Sequence, residues 1–331
     1  MEMRSLGATG LRVSRIGLGL AALGRPGYVN LGHATDLAGN YAVPALEART
    51  HAVLDAAWAA GVRYFDAARS YGRAEHFLAT WLAARSIASA DVVVGSKWGY
   101  TYTAAWRPDA AVHEVKDHTL PTLQRQWQES RTLLAPYLRL YQIHSATFES
   151  GVLERGDVLA ELARLTELGV EIGLSLSGPD QGSVLERACT IQIDGRPLFT
   201  VVQATWNLLE SSAGPQLVAA RAAGLGVIVK EALANGRLTA RNRDPAFAAQ
   251  QQVLAQQAAR LRTTPDALAL AAVLAQPWAD IVLSGATTVG QWQSNWGAAQ
   301  VGWDAEAAQV LTPLAEDPAV YWRIRRELAW N

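Results

Sequence analysis

The stretch VRYFDAARSYG, residues 62–72, decides how this chain folds. It begins as a short apolar run, which is typical of a buried strand, and it ends at Gly72, a turn residue. Such a strand would carry Asp66 at its carboxyl end, and the following loop would carry Tyr71. A phenol titrates near pH ~10, so a tyrosine that exchanges a proton at neutral pH needs a cation beside it.

The next two apolar runs also end in side chains that suit such chemistry. Residues 92–96 (VVVGS) precede Lys97, which would be the cation beside Tyr71, and residues 140–143 (LYQI) precede His144. The carboxyl ends of neighbouring parallel strands meet at one rim of a sheet or barrel. We therefore expect these side chains to lie together.

Strand-like runs alternate with helix-like patterns along the whole chain. The candidate strands are residues 16–19, 62–66, 92–97, 140–144, 171–175, 199–203, 226–230 and 281–284, and the helices between them are about 47–60, 75–84, 119–135, 152–168, 180–189, 212–223 and 246–275, the last split at Pro265. Regular β–α alternation implies parallel strands with right-handed crossovers. Eight units favour a closed (β/α)8 TIM barrel over an open sheet. We expect a single domain over residues 1–331, with an N-terminal β-hairpin lid around residues 7–10 and C-terminal helices after residue 300.

Residues 17–22 (GLGLAA) formally match the G-x-G-x-x-A fingerprint of dinucleotide-binding folds. That fingerprint needs a helix to open directly after it, with phosphates at the helix N-terminus. Residues 24–32 are instead rich in turn residues, so the Rossmann interpretation is rejected.

Two segments without helical or strand periodicity, residues 25–45 and 99–117, are predicted to be long loops. Long loops in compact domains are often functional. In the first loop we expect His33 and Asp36 to be polar residues of the surface. Around the second loop, three aromatic residues would either line a substrate pocket or pack the top of the barrel: Trp98, Tyr100 and Trp106.

Composition excludes several classes of function. Half of the 331 residues are hydrophobic, which provides for a large core and argues against disorder. A net charge of −1 gives no general attraction for nucleic acid or anionic lipid, and the basic cluster at residues 323–326 (RIRR) is expected to be a solvated helix face. The lone Cys189 suits a reducing compartment, so we expect a cytoplasmic protein. No apolar run has the length of a membrane helix, and no cluster has metal-ligand spacing, so neither a membrane nor a metal site is expected.

Motifs taken in order from the whole chain resemble those of the aldo-keto reductase family. They are LGATGLRVS (6–14), DAARSYG (66–72), SK (96–97), YQIH (141–144), IGLS (172–175), VQATWN (202–207), GRLT (236–239) and GATT (285–288), with Gln291 and Asn295. The resemblance implies a TIM-barrel oxidoreductase that uses NAD(P)H to interconvert a carbonyl compound (aldehyde, ketone or sugar) and an alcohol.

The same resemblance implies a catalytic tetrad of Asp66, Tyr71, Lys97 and His144. Tyr71 would give a proton to the carbonyl oxygen as the nicotinamide delivers hydride. Lys97 would favour the tyrosinate electrostatically, and Asp66 would keep that lysine charged and oriented. His144 would hydrogen-bond the substrate oxygen and polarise it.

Positions that match the family's cofactor ligands are Ser175, Gln203, Trp206, Leu233, Gly236, Gly285, Thr287, Gln291 and Asn295. Ser175 and Gln203 would bind the carboxamide, and Trp206 would stack on the nicotinamide ring. The chain departs from the family where Leu176 replaces an asparagine and where Glu231 replaces a serine of the pyrophosphate loop. An acidic residue beside phosphate is unfavourable, so Glu231 would face a basic neighbour or water.

The choice between NADP(H) and NAD(H) stays open. NADP-preferring members bind the 2′-phosphate with a cation near the last of these motifs, because phosphate recognition uses charge-assisted hydrogen bonds. Residues 285–296 contain no Lys or Arg, whereas the family as a whole slightly favours NADP.

Two alternative functions also remain. One is a cofactor-binding regulatory protein of the same fold with little turnover. The other is an aldolase-type barrel in which Lys97 forms a Schiff base. The substrate is expected to be a small carbonyl or hydroxyl compound, and its identity, the direction of reaction and the oligomeric state cannot be deduced from the sequence.

Overall fold

The computed structural model describes residues 2–331. Its strands are β1 (Met3–Ser5), β2 (Arg12–Ser14), β3 (Ile16–Gly19), β4 (Tyr64–Asp66), β5 (Val93–Trp98), β6 (Tyr100–Tyr102), β7 (Glu114–Lys116), β8 (Leu138–Ala146), β9 (Glu171–Leu176), β10 (Gln192–Ile193), β11 (Arg196–Pro197), β12 (Val201–Thr205), β13 (Gly226–Lys230) and β14 (Ile281–Ser284). Its α-helices are α1 (His33–Leu37), α2 (Val43–Ala59), α3 (Ala74–Ala84), α4 (Leu120–Leu134), α5 (Gly156–Thr166), α6 (Gln181–Cys189), α7 (Gly214–Ala222), α8 (Ala248–Arg260), α9 (Pro265–Leu274), α10 (Val289–Trp296), α11 (Ala305–Leu311) and α12 (Pro318–Glu327). Among these residues no helix is long and apolar enough to cross a membrane.

Eight parallel strands close into a barrel in the order β3-β4-β5-β8-β9-β12-β13-β14, and β14 pairs back to β3. Helices surround this barrel, so the predicted (β/α)8 TIM-barrel fold is confirmed. The eight predicted strands are all present. The break that was predicted at Pro265 separates α8 from α9, and the Thr264 side chain caps α9 by accepting from the Ala267 backbone N–H.

The barrel interior has an apolar layer at its amino-terminal end and a polar layer above it. Side chains alternate between the two faces of a strand, so every second residue points inward. The apolar cluster inside the barrel includes Tyr64, Val93, Leu140, Val201, Ile228 and Ile281. Residues two or four positions further along the same strands also point into the barrel, and these are Asp66, Lys97, His144, Gln203 and Lys230. The polar side chains of the site therefore stand on a packed apolar floor.

The predicted N-terminal hairpin is present as β1 and β2, and it covers the floor of the barrel. Leu6 is fully buried in the apolar layer. The turn lies so close to the start of β13 that Gly7, at φ 53°, has no room for a side chain, and the Ala8 N–H donates to the Gly224 carbonyl at 2.8 Å. The hairpin thus closes the end of the barrel that is opposite to Tyr71.

Both predicted loops contain regular structure that the sequence did not indicate. Residues 25–45 include the five-residue helix α1, and residues 99–117 include the antiparallel hairpin of β6 and β7. Elements this short span too few residues to show a hydrophobic period. The expectation that His33 lies at the surface was wrong: its ring is fully buried 6.2 Å from Tyr28, and burial lowers the pKa of His33 to about 4.

Replacing Gly7 by alanine is expected to lower the free energy of unfolding by about 3 kcal/mol, because the new Cβ overlaps backbone atoms of Gly224–Gly226. Gly10→Ala is the matched control. Gly10 also has a positive φ, of 76°, but its Cβ would meet nothing within 4 Å, so its cost is about 1 kcal/mol. Denaturant unfolding of both variants measures the difference, and equal costs would show that the hairpin does not seal the barrel floor.

Candidate active site

The structure brings the four residues of the expected tetrad together at the carboxyl end of the barrel. Lys97 forms a buried ion pair with the Asp66 carboxylate and donates to the Ala67 carbonyl at 3.1 Å. The Nζ of Lys97 lies 3.5 Å from the Tyr71 hydroxyl, and that hydroxyl lies 3.4 Å from Nε2 of His144. A single phenol oxygen is thus shared between an ammonium and an imidazole.

The second oxygen of the Asp66 carboxylate is also satisfied. Oδ1 accepts from the Tyr64 hydroxyl at 3.1 Å, from Gln203 Nε2 at 3.0 Å and from Gln142 Nε2 at 3.4 Å. A buried carboxylate is stable only when its partners replace water, and here four donors do so, one each from β4, β5, β8 and β12. Gln203, expected as a cofactor ligand, therefore also orients the Asp66 carboxylate.

Burial controls the protonation of the two groups that would handle the proton. It raises the pKa of Tyr71 well above its ordinary value, and the Asp66 charge acts in the same direction. Burial also lowers the pKa of His144 well below its ordinary value, assisted by the positive charges of Lys97 and Arg25. At neutral pH Tyr71 is a phenol and His144 is a neutral imidazole. The expected lowering of the tyrosine pKa is absent because burial and the Asp66 charge outweigh the opposing charge of Arg25.

A cavity of about 480 Å³ crosses the barrel mouth from the tetrad to the loops after β13 and β14. Its volume lies in the range of small-molecule and cofactor sites. Seven of the expected cofactor ligands line it: Gln203, Leu233, Gly236, Gly285, Thr287, Gln291 and Asn295. A Cβ on Gly285 would meet no atom within 4 Å, so the wall there is open to a bound group. These residues fit an extended dinucleotide.

Two expected ligands do not line the cavity. Ser175 is fully buried and its Oγ accepts from the Ser145 N–H at 2.8 Å, so it supports the wall from behind. Trp206 packs with its ring 5.6 Å from that of Trp278. It follows Thr205, an inward position, so the alternation of β12 turns Trp206 toward the surrounding helices. The structure therefore does not bring Trp206 to the place where a nicotinamide ring would stack.

Sequence reasoning missed Lys230, which ends β13 and lines the cavity. Its Nζ donates to Thr205 Oγ1 at 2.8 Å, and burial lowers the pKa of Lys230 to about 8. The parity of the strand, with Gly226 and Ile228 facing inward, is the signal that would have found it.

Glu231, in the left-handed region at φ 55°, pairs with Arg325 through contacts of 2.5–3.0 Å. Burial raises the pKa of Glu231, but the charges of Arg325 and Lys230 outweigh burial and lower it to about 2. The alternative of a basic neighbour for Glu231 is thus the observed one. Arg325 lines the cavity and is largely buried by Glu231, so the expectation of a wholly solvated basic face in α12 was wrong for this residue; Arg326 lies at the cavity rim and is exposed, as expected.

Arg25 joins the two long loops beside Tyr71. Its guanidinium donates to the Ser70 carbonyl at 3.1 Å and to Glu114 at 2.8 Å. The same group lies 5.3 Å from the ring of Tyr71 and 4.8 Å from the ring of Trp330. The outer part of the cavity is therefore walled by a buried cation and aromatic faces.

Residues 28–37, which we call the strap, run across the cavity toward the far side of the barrel. The Leu31 N–H donates to the Asn235 carbonyl at 3.0 Å. Asp36, expected at the surface, has a side chain only 8% exposed, because it is held by Arg241, Thr287 and Gln291. This expectation was wrong because the partners of Asp36 lie 205 to 255 residues further along the chain.

Aromatic residues near the second loop have separate positions. Tyr100 packs with its ring 4.9 Å from that of His144. Trp98 is fully buried, and the Trp106 indole donates to the Tyr41 carbonyl at 2.6 Å.

Within residues 2–331 no group of three or more His, Cys, Asp or Glu side chains is arranged to hold a metal ion.

Replacing Arg325 by methionine is expected to lower the free energy of unfolding by about 3 kcal/mol at pH 7, because it leaves the buried Glu231 carboxylate without its main partner. The folded-state pKa of Glu231 lies below its ordinary 4.5, so the stability from this pair is present above that pH and is lost as the pH falls toward 2. Arg323→Met is the control, because Arg323 makes only an exposed pair with Glu327 and is expected to cost less than about 0.5 kcal/mol. Denaturant unfolding at pH 7 and pH 4 measures both, and a loss at pH 4 as large as at pH 7 would contradict the assignment.

Comparison with known proteins gives a consistent picture. The sequence model described as "Aldo/keto reductase family" matches residues 15–315. Pyridoxal 4-dehydrogenase of Microbacterium luteolum is 30% identical, in an alignment that spans 53% of this chain and 55% of that relative. The uncharacterized oxidoreductase YrpG of Bacillus subtilis (strain 168) is 26% identical over 96% of this chain and 97% of its own.

A solved structure, the aldo-keto reductase AKR11C1 from Bacillus halodurans in its holo form, superposes with a TM-score of 0.74 at 20% identity. The superposition covers 96% of this chain and 97% of that one, and it shows that the two chains share a fold.

Proposed function

The chain belongs to the aldo/keto reductase family of NAD(P)-dependent oxidoreductases, and from this premise we propose that it reduces a small carbonyl compound with Tyr71 as the general acid. One observation carries the proposal: the Tyr71 hydroxyl stands at the cavity wall, 3.5 Å from Lys97 Nζ and 3.4 Å from His144 Nε2. An ammonium and an imidazole around one phenol oxygen are suited to proton transfer.

The protein residues supply the proton and fix the substrate oxygen. A bound nicotinamide cofactor supplies the hydride that goes to the carbonyl carbon. Tyr71 gives its phenolic proton to the carbonyl oxygen, and the resulting tyrosinate is stabilised by Lys97 until it regains a proton from solvent. His144, neutral at working pH, hydrogen-bonds the same carbonyl oxygen and sets its distance from Tyr71. Asp66 holds Lys97 in place.

The seven lining residues from Gln203 to Asn295 are proposed to hold the cofactor, NADP(H) or NAD(H). Ser175 acts indirectly through the Ser145 backbone. The substrate is proposed to enter over the wall built by Arg25 and Trp330. An aromatic aldehyde is the first candidate, since a relative that matches over half its length is a pyridoxal 4-dehydrogenase.

Replacing Tyr71 by phenylalanine is expected to lower kcat for aldehyde reduction by about 10²–10⁴-fold, since it removes the proton donor. The dissociation constants of NADH and NADPH, measured by cofactor fluorescence, should change little. Tyr141→Phe is the control: the Tyr141 hydroxyl is buried, has no hydrogen-bond partner among residues 2–331 and lies outside the cavity lining. Tight cofactor binding without turnover on a panel of aldehydes would favour the regulatory alternative, and an active Tyr71→Phe variant would refute the assigned role.

The pH dependence should differ between the two directions of the reaction. Reduction needs the protonated Tyr71, and because its pKa is raised above 10, kcat for reduction should be nearly constant between about pH 6 and 9. Alcohol oxidation needs the tyrosinate as base, so its kcat should rise across the same range. Steady-state rates with saturating cofactor test this, and a reduction rate that falls with a midpoint near pH 7 would contradict the raised pKa.

A further inference from the structure

The cavity has two chemically different ends. The tetrad stands on β4, β5 and β8, and in the closed barrel β14 lies opposite β8, so the loop with Thr287 and Gln291 forms the far end. If hydride leaves beside Tyr71, the nicotinamide occupies the tetrad end and the adenosine half of an extended dinucleotide reaches the far end. This placement rests on the proposed function.

A carboxylate from the strap occupies that far end. Oδ1 of Asp36 accepts from Arg241 Nη2 at 2.6 Å, and Oδ2 accepts from Arg241 Nη1 at 2.8 Å. Oδ2 also accepts from Gln291 Nε2 at 2.8 Å and lies 3.0 Å from Thr287 Oγ1. Burial raises the pKa of Asp36, but these hydrogen bonds outweigh burial and hold it below its ordinary value, so the group is an anion at neutral pH.

The two nicotinamide dinucleotides differ only in the adenosine half, where NAD has a ribose 2′-hydroxyl and NADP has a 2′-phosphate. A carboxylate accepts a hydrogen bond from the hydroxyl and repels the phosphate, whereas an arginine binds the phosphate. Within residues 2–331, Arg241 is the only cation that donates to this carboxylate, and both of its terminal nitrogens are engaged by it. Arg49 contacts only the backbone carbonyl of Asp36. A second carboxylate, Asp266, lines the cavity near Arg241. We propose that Asp36 makes the protein selective for NAD(H) over NADP(H), by accepting from the ribose and by keeping Arg241 away from a 2′-phosphate.

This assignment gives Arg241 a latent role. Binding NADP(H) would require Arg241 to leave Asp36, and the carboxylate would then face a phosphate with only neutral donors around it. Removing the charge of Asp36 frees the guanidinium as a ready phosphate ligand. A single substitution in the strap should therefore change cofactor preference, although no residue of the tetrad is altered.

The test is a fluorescence titration of the full chain with NADH and NADPH, without substrate. The wild-type protein should bind NADH at least about 10-fold more tightly than NADPH, the size expected for a charge-assisted hydrogen bond in one complex and like charges in the other. Asp36→Asn should lower the ratio of the NADPH dissociation constant to the NADH dissociation constant by at least about 10-fold, mainly because NADPH binds more tightly. In the double variant Asp36→Asn/Arg241→Ala, NADPH should no longer bind more tightly than it binds to the wild-type protein.

Asp55→Asn is the matched control. Asp55 makes an equally bidentate pair with Arg85, at 2.9 and 2.7 Å, but lies outside the cavity, so its substitution should leave the ratio unchanged. If Asp36→Asn weakened the binding of NADH and NADPH equally, Asp36 would only hold the strap in place, and the proposal would be overturned. Tighter binding of NADPH by the wild-type protein would also overturn it and leave the proposed function intact, whereas no binding of either cofactor would refute the proposed function itself.

Discussion

The buried ion pair between Lys97 and Asp66 is the constraint on which the site depends. Removing two charges from water is costly, and the cost is offset only when every remaining lone pair and proton finds a partner. Tyr64 and Gln203 donate hydrogen bonds to the carboxylate, and the Ala67 carbonyl accepts a hydrogen bond from the ammonium. Tyr64 belongs to the same strand as Asp66, whereas Lys97 comes from β5 and Gln203 from β12. The full set of partners is therefore complete only when the barrel has closed in its correct register.

Three further charge pairs join the segments that cover the carboxyl end of the barrel. Arg25 with Glu114, Glu231 with Arg325, and Asp36 with Arg241 join segments that are 89, 94 and 205 residues apart. The carboxylate of each pair lines the cavity. Because each is matched by an arginine, none of these three charges is buried without a partner.

The sequence was sufficient to predict the barrel, and to predict that Asp66, Lys97 and His144 meet at one rim of it, because both depend on local patterns. The runs VVVGS (92–96) before Lys97 and LYQI (140–143) before His144 are visible without any partner, and eight strand–helix units admit few topologies. The three charge pairs that cover the carboxyl end of the barrel were not predictable in this way. Asp36 and Arg325 have partners that share no period or spacing with them, so they were assigned to the surface from their own segments alone. Helix α1 and the β6–β7 hairpin are too short to show a period.

Trp206 and Lys230 show how strand parity corrects a resemblance. A motif match assigned the ring of Trp206 to the nicotinamide, but Val201, Gln203 and Thr205 already occupy the inward positions of β12. The next residue must then point outward, as Trp206 does. On the neighbouring strand the same count brings Lys230 inward, opposite Thr205 in register. A side chain on a barrel strand reaches the cavity only if its parity allows it, and this geometric condition holds whichever family a motif resembles.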